Sequence, residues 1–153
     1  MIARRRKSKK PSDGSEHSPP LPEEFVLYLD ENLCNSSAIQ EALTRSGVSF
    51  ERHLSYFSRG ALDHVWLPFV GRKGWILLTT DKQMRYNLLE KRALEENRIC
   101  EFVFASGNLS GNEMAAALEI ALRKIRWMWR RLKPPFVAAI TKTGDVHLRW
   151  PKP

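Results

Sequence analysis

The sequence predicts a three-layer α/β domain with a mostly parallel central sheet and a closing C-terminal hairpin, and three observations carry that prediction. Short apolar runs alternate along the chain with segments of helical periodicity, as strands covered on both faces alternate with their crossover helices. The apolar runs are followed by acids, amides or hydroxyls, where a parallel sheet gathers its functional groups. The chain is 153 residues long, 42% hydrophobic and 27% charged, which suits one core and hardly two, and excludes collagen-like, coiled-coil and wholly disordered classes. No apolar run approaches the roughly 18–20 residues of a membrane span. The basic N-terminus lacks the apolar stretch of a signal peptide, and Cys34 and Cys100 form neither a disulfide framework nor a ligand cluster, so a cytoplasmic location is expected.

Residues 1–22 combine Lys/Arg, Ser and Pro with almost nothing to bury; they are expected to be a disordered basic arm, leaving 23–153 as the domain. Phe25–Leu29 is wholly apolar and reads as the first strand. Ser36–Ser46 reads as a helix with Ala38, Ile39, Ala42 and Leu43 inward and Gly47 as its stop. Val48–His53 is a second strand. Leu62, Val65, Trp66, Phe69 and Val70 have helical spacing, with Pro68 expected to kink or shorten that helix. Trp75–Thr79 is a third strand, Gln83–Glu96 a helix and Glu101–Ala105 a fourth strand. Ser110 and Glu113 predict a capping box on a long helix whose inward stripe is Met114, Leu118, Ala121, Leu122, Ile125, Met128 and Leu132. Pro134 and Pro135 stop it, and Phe136–Thr141 with Val146–Trp150 then form the hairpin around Thr143-Gly144-Asp145.

The net charge of +8 is unevenly placed: residues 1–22 carry +4, 23–122 carry −4 and 123–153 carry +8. An acidic middle between basic ends suits a cation site near a polyanion, although basic ends that merely aid solubility would give the same pattern. On the long helix Arg123, Arg126, Trp127 and Arg130 share one face, which suits phosphate contact and base stacking. The helix dipole alone also favours cations near a C-terminus, by about 0.3–1 kcal/mol each.

Residues just past the strands should converge on one edge: Asp30-Glu31-Asn32, Thr79-Thr80-Asp81-Lys82 and Ser106-Gly107-Asn108. Two carboxylates about 4 Å apart repel by roughly 4 kcal/mol at an effective dielectric of 20, so the cluster calls for a cation, a shared proton or a basic neighbour. Hard oxygen donors favour Mg²⁺ or Mn²⁺ over zinc. Asp30, Asp63 and Asp81 are each also plausible helix caps, and Ser106-Gly107-Asn108 an ordinary turn. Lys82 and Arg85 are candidates to steady a phosphate; His53 and His64 receive no role.

Leu29-Asp-Glu-Asn-Leu33, Asp63 with Trp66-Leu-Pro68, Gly74-Trp-Ile-Leu-Leu-Thr-Thr-Asp-Lys82 with Met84-Arg-Tyr86, and Phe104-Ala-Ser-Gly-Asn-Leu-Ser-Gly111 resemble PIN-like proteins of the VapC toxin type. The resemblance runs in order from about Phe25 to Trp150. It implies a PIN-like fold, Mg²⁺- or Mn²⁺-dependent endoribonuclease activity and the toxin role in a type II toxin–antitoxin pair. By motif position, Asp30 matches the acid after the first strand, Asp63 an acid on a middle helix and Asp81 the central acid. These three would be catalytic and metal-holding. Asn108 stands where such nucleases often carry a fourth acid and would reach the metal through water, with Glu31 a candidate substitute. RNA would dock on Arg123, Arg126 and Arg130, and the expected partners are RNA, a cognate antitoxin and, as an option, a second copy in a homodimer, with no membrane. Two alternatives stand beside this reading. A non-catalytic nucleic-acid or partner-binding module fits the missing fourth acid. A phospho-receiver domain would use Asp30, Glu31, Asp81 and Ser106, but has only Lys142 for its required lysine.

Overall fold

β-branched and large apolar side chains fill the inner strands, and each of these splits its side chains between two cores. The computed structural model describes residues 24–81 and 88–151. The expected arm, Lys82, Arg85 and the beginning of the expected Gln83–Glu96 helix lie outside the described residues. In chain order the elements are β1 (Val26–Leu29), α1 (Ser37–Arg45), β2 (Ser49–Arg52), α2 (Asp63–Lys73), β3 (Ile76–Thr79), α3 (Leu88–Glu96), β4 (Cys100–Phe104), α4 (Gly111–Arg131), β5 (Phe136–Ile140) and β6 (Val146–Trp150). The strands form one sheet in the order β2-β1-β3-β4-β5-β6, parallel from β2 to β5, with β6 antiparallel on β5.

Alternation along each strand assigns the layers. Leu27 and Leu29 of β1, Ile76 and Leu78 of β3 and Phe102 and Phe104 of β4 meet Ile39 and Leu43 of α1 and Leu118, Ala121 and Ile125 of α4. Tyr28, Leu77 and Val103 point the other way, against Trp66, Leu67 and Val70 of α2 and Leu94 of α3. The expected three layers are therefore present.

Local signals hold with small boundary shifts. Ser36 caps α1 by accepting the Ile39 N–H at 3.3 Å, and Gly47 takes φ +70° just past its end. The expected capping box closes α4: the Ser110 hydroxyl accepts the Glu113 N–H at 3.1 Å, and the Glu113 carboxylate accepts the Ser110 N–H at 2.8 Å. Two helical expectations change. Pro68 does not shorten α2, which runs on to Lys73. The bond that Pro68 cannot make is outweighed by burial of Trp66, Leu67 and Val70 along the same turns. Met114 and Leu132 are only half-buried; Ala115 and Ala117 are buried at the N-terminal end of α4.

The order of strands places the site. From β1 the chain crosses to β2 on one side and then to β3 on the other, so the direction of winding reverses between β1 and β3. At such a switch point the loops leave the sheet in opposite directions and open a crevice at the C-terminal edge.

Candidate active site

A cavity of about 200 Å³ sits at that crevice, lined by Asp30 and Glu31 after β1, His53 after β2, Asp63 and Trp66 on α2, and Thr79 and Asp81 at the end of β3. Asp30, Asp63 and Asp81 thus reach one cavity from three separate elements.

Asp30 is buried at 7% exposure, and its carboxylate is tightly held. One oxygen accepts the N–H groups of Asn32 and Leu33 at 3.0 and 3.1 Å; the other accepts the Thr79 hydroxyl. Thr79 in turn accepts the Asp81 N–H at 2.9 Å, so one buried hydroxyl ties the ends of β1 and β3 together. Burial pushes the Asp30 carboxyl up to about 6; the hydrogen bonds oppose this shift and the Asp81 charge adds to it. Neither Asp30 nor Asp63 is a helix cap. Ser36 caps α1, and Asp30 instead closes the turn after β1. The N-cap of α2 is Leu62, which leaves Asp63 in the first turn, where it lines the cavity beside Trp66. Burial and then the Asp81 charge raise Asp63, and Glu90 of α3 is raised by burial, Asp81 and Asp63. The Asp81 charge therefore acts on Asp30, Asp63 and Glu90 alike, and Asp63 acts on Glu90 as well.

Glu31 also lines the cavity, but its carboxylate is engaged: one oxygen accepts the Gly60 N–H at 2.9 Å and the other lies 3.8 Å from Arg59. It anchors the 56–62 loop over the site. Asn108 is exposed, and neither it nor Ser106 lines the cavity, so the segment after β4 is not drawn into the acid cluster. Lys142 is likewise absent from the lining, and its charge acts on Glu113 instead. The receiver arrangement is not assembled.

His53 is the residue that sequence reasoning passed over. It is 1% exposed, its Nδ1 lies 2.5 Å from the Tyr28 hydroxyl, and its buried Nε2 has no hydrogen-bond partner. Burial lowers its pKa against the pull of Glu31 and Asp63. The rule that picked out Asp30 and Asp81, applied to the end of β2, would have found it. Nothing in the sequence pattern points to Glu90, which comes from a helix.

Among the described residues no group of three or more His, Cys, Asp or Glu side chains is arranged to hold a metal ion. The Asp30 carboxylate lines the cavity while accepting three hydrogen bonds. The donor chemistry fits a hard cation: oxygen ligands line a cavity with room for water, and burial, with the Asp81 charge adding to it, raises Asp30 and Asp63. Mg²⁺ keeps several waters and is commonly held by one or two carboxylates, which this arrangement permits.

The long helix presents a different surface. Arg123, Arg126, Trp127 and Arg130 line one groove of about 460 Å³ beside Ser46 and Val48. The Arg126 guanidinium lies 4.4 Å from the centre of the Phe25 ring. Phe25 precedes β1 and Asp30 follows it, so this groove lies at the opposite edge of the sheet from the acids.

A mostly parallel sheet with acids gathered at its switch point is the arrangement of a PIN-like fold, a nuclease-type fold in general. The PIN-like domain family profile matches residues 25–106, more than half of the chain, and the chain belongs to that family. No curated protein and no solved structure matches it. No helix among the described residues is long and apolar enough to cross a membrane.

Proposed function

We propose that this protein is a Mg²⁺- or Mn²⁺-dependent endoribonuclease of the VapC type, the toxin of a type II toxin–antitoxin pair acting in the cytoplasm. The supporting observation is the meeting of Asp30, Asp63 and Asp81, far apart in sequence, in one cavity at the switch point of the sheet. In this reading Asp63 and Asp81 hold the ion directly, and Asp30 does so directly or through water. A bound ion would supply a more acidic water and charge neutralisation at the phosphate. Thr79 fixes the Asp30 rotamer and, through the Asp81 N–H, the start of the loop that follows β3. Trp66 lies beside Asp63 in the lining, and the neutral His53 offers Nε2 as a hydrogen-bonding group inside the cavity. Lys82 and Arg85 follow Asp81 in sequence and are assigned to the phosphate, and Arg123, Arg126 and Arg130 to RNA further away. Asn108 contributes only if its loop turns inward. An antitoxin and a homodimeric partner belong to the same proposal.

A non-catalytic module is the second reading, favoured by the three hydrogen bonds that occupy Asp30. The deciding experiment incubates the purified chain, freed of any antitoxin, with single-stranded RNA and Mg²⁺ or Mn²⁺. Cutting that EDTA stops supports the nuclease. Cutting that survives EDTA would falsify the metal mechanism, and metal binding without cutting would favour the module.

A further inference from the structure

The trough between α4 and the edge strand β6 has no task in the chemistry at the switch point. Two hollows of about 650 and 490 Å³ open along it and share Lys124, Trp127, Val146 and His147, so they form one continuous channel. One end lies against Gly144 and Asp145 in the hairpin turn, the other at Leu132 and Arg149. Trp127, 48% exposed, stands in its wall with the Lys124 ammonium 5.1 Å and the Arg131 guanidinium 5.4 Å from its ring centre.

The cations of α4 exceed what the helix itself rewards. A helix dipole acts over the last turn and accounts for Arg130 and Arg131 alone. Arg123, Lys124 and Arg126 lie further in, and no acid follows Glu119 on the helix; Glu119 is already paired with Arg45 at 2.7 Å. Of these, Arg123 and Lys124 line the trough, with Arg149 at its far end and Asp145 as the acid opposing them, whereas Arg126 is seated on Phe25 in the other groove. The occupant is therefore anionic. The outer edge of β6 carries exposed His147 and Arg149 and is followed by Pro151, features that blunt strand addition by a peptide. An aromatic wall with cations along the rim instead suits bases stacked on an indole and phosphates held above it.

The position of the trough links it to the acids. The hairpin turn follows β5, so it lies at the same sheet edge as the acid cavity, and β6 is three strands from β3, about 14 Å across the sheet. A strand leaving the cavity would pass the segment after β4 and enter the trough beside Gly144. We propose that the α4–β6 trough is an exosite for single-stranded RNA, holding the flank of a strand whose scissile bond lies at the switch point. The choice of RNA rests on the nuclease reading of the acid cavity.

The test uses the full chain in EDTA, where no metal-dependent cutting occurs, and a fluorescein-labelled 15-nucleotide oligouridine followed by anisotropy. Lys124→Glu combined with Arg149→Glu should raise Kd about tenfold or more and make the salt dependence shallower by about 1.4 in log–log slope. Trp127→Ala should weaken binding about fivefold or more, while Trp127→Phe stays within about twofold. That pair gives the same readout should the double reversal disturb the hairpin. Unchanged affinity in the double reversal and in Trp127→Ala overturns the exosite, as does displacement of the RNA by oligoglutamate of equal length and concentration, which would assign the trough to an acidic protein. The two readings fail separately: a chain that never cuts but binds RNA through these residues refutes only the nuclease, and one that cuts while the variants bind normally refutes only the exosite.

Discussion

The acid cavity and the α4 surface each concentrate one sign of charge, and they manage it in opposite ways. At the switch point the charges are drawn in: Asp30 is 7% exposed and held by three hydrogen bonds, and Asp63 and Asp81 are half-buried. Along α4 the charges are many and mostly exposed, and they are steadied by rings, Arg126 over Phe25 and Lys124 and Arg131 over Trp127. Burial makes Asp30, Asp63 and Glu90 costly to ionise, and their raised pKa values record that cost. Exposure makes each cation cheap and replaceable. A region of the first kind suits chemistry that depends on single groups; a region of the second kind suits docking that depends on their sum.

The sharpest way to break this division is Asp81→Asn. It removes one charge from the cavity while keeping nearly the same shape. Cutting should fall about a thousandfold or more, the several kcal/mol that a metal contributes to a phosphoryl transition state. Circular dichroism should match the wild type. A variant that retains full activity would mean that the cavity is not the reaction centre.

The second prediction concerns stability against pH in metal-free protein. The folded Asp30 carboxyl titrates near 6 against an ordinary 3.8, so the folded state prefers it protonated. Its stabilising share is complete below the unfolded value and is lost as pH rises through the folded one, about 3 kcal/mol at most between pH 4 and 7. Asp63 and Glu90 act in the same direction. Asp30→Asn should flatten this dependence in denaturant titrations at a series of pH values. Mg²⁺ should raise Tm more at pH 8 than at pH 5, because the ion binds the ionised carboxylates. Equal slopes in wild type and variant would show that folding does not raise the Asp30 pKa.

The contrast between the two regions also explains what the sequence disclosed. The layers, the parallel sheet and the α4 capping box follow from apolar runs and capping residues, which act locally. Asp30 and Asp81 were readable because strand ends in a parallel sheet share one edge. Whether Asp63 faces the cavity depends on how α2 is rotated, and that is decided by Trp66, Leu67 and Val70 packing against Tyr28 and Leu77. Asn108 sits one strand beyond the switch point and turns outward, a matter of strand order that no single motif encodes. The shared face of Arg123, Arg126 and Arg130 followed from helical spacing, but its distance from the acids did not, because that depends on which sheet edge the end of α4 reaches.

Thr79 tests how far the cavity depends on its supports. Thr79→Val keeps the volume but removes the hydroxyl that donates to Asp30 and accepts from Asp81 N–H. Stability should fall by about 1–3 kcal/mol, the cost of stranding buried polar partners. The lost hydrogen bond was lowering the Asp30 pKa, so the acid limb of any cutting profile should move to higher pH. Thr79→Ser should restore both. Recovery of stability without recovery of the profile would separate folding from chemistry at this residue.

The smallest effects belong to α4, where paired substitutions sharpen the contrast. Arg130 is exposed, whereas Arg126 is half-buried against Phe25. Arg130→Ala should leave Tm unchanged, and Arg126→Ala should cost about 0.5–1 kcal/mol, the worth of a cation–π contact at a partly exposed site. Each should lower RNA affinity several-fold at moderate salt and make the log–log salt slope shallower by about 0.7, one phosphate contact on a single strand. Neither should change kcat at saturating RNA, since no residue of this groove reaches the acid cavity. Arg126→Lys should keep the salt slope but not the full stability, because an ammonium carries the charge without the planar stacking of a guanidinium. A drop in kcat with Arg130→Ala would mean that the two regions work as one site, and the division between chemistry and docking would fail.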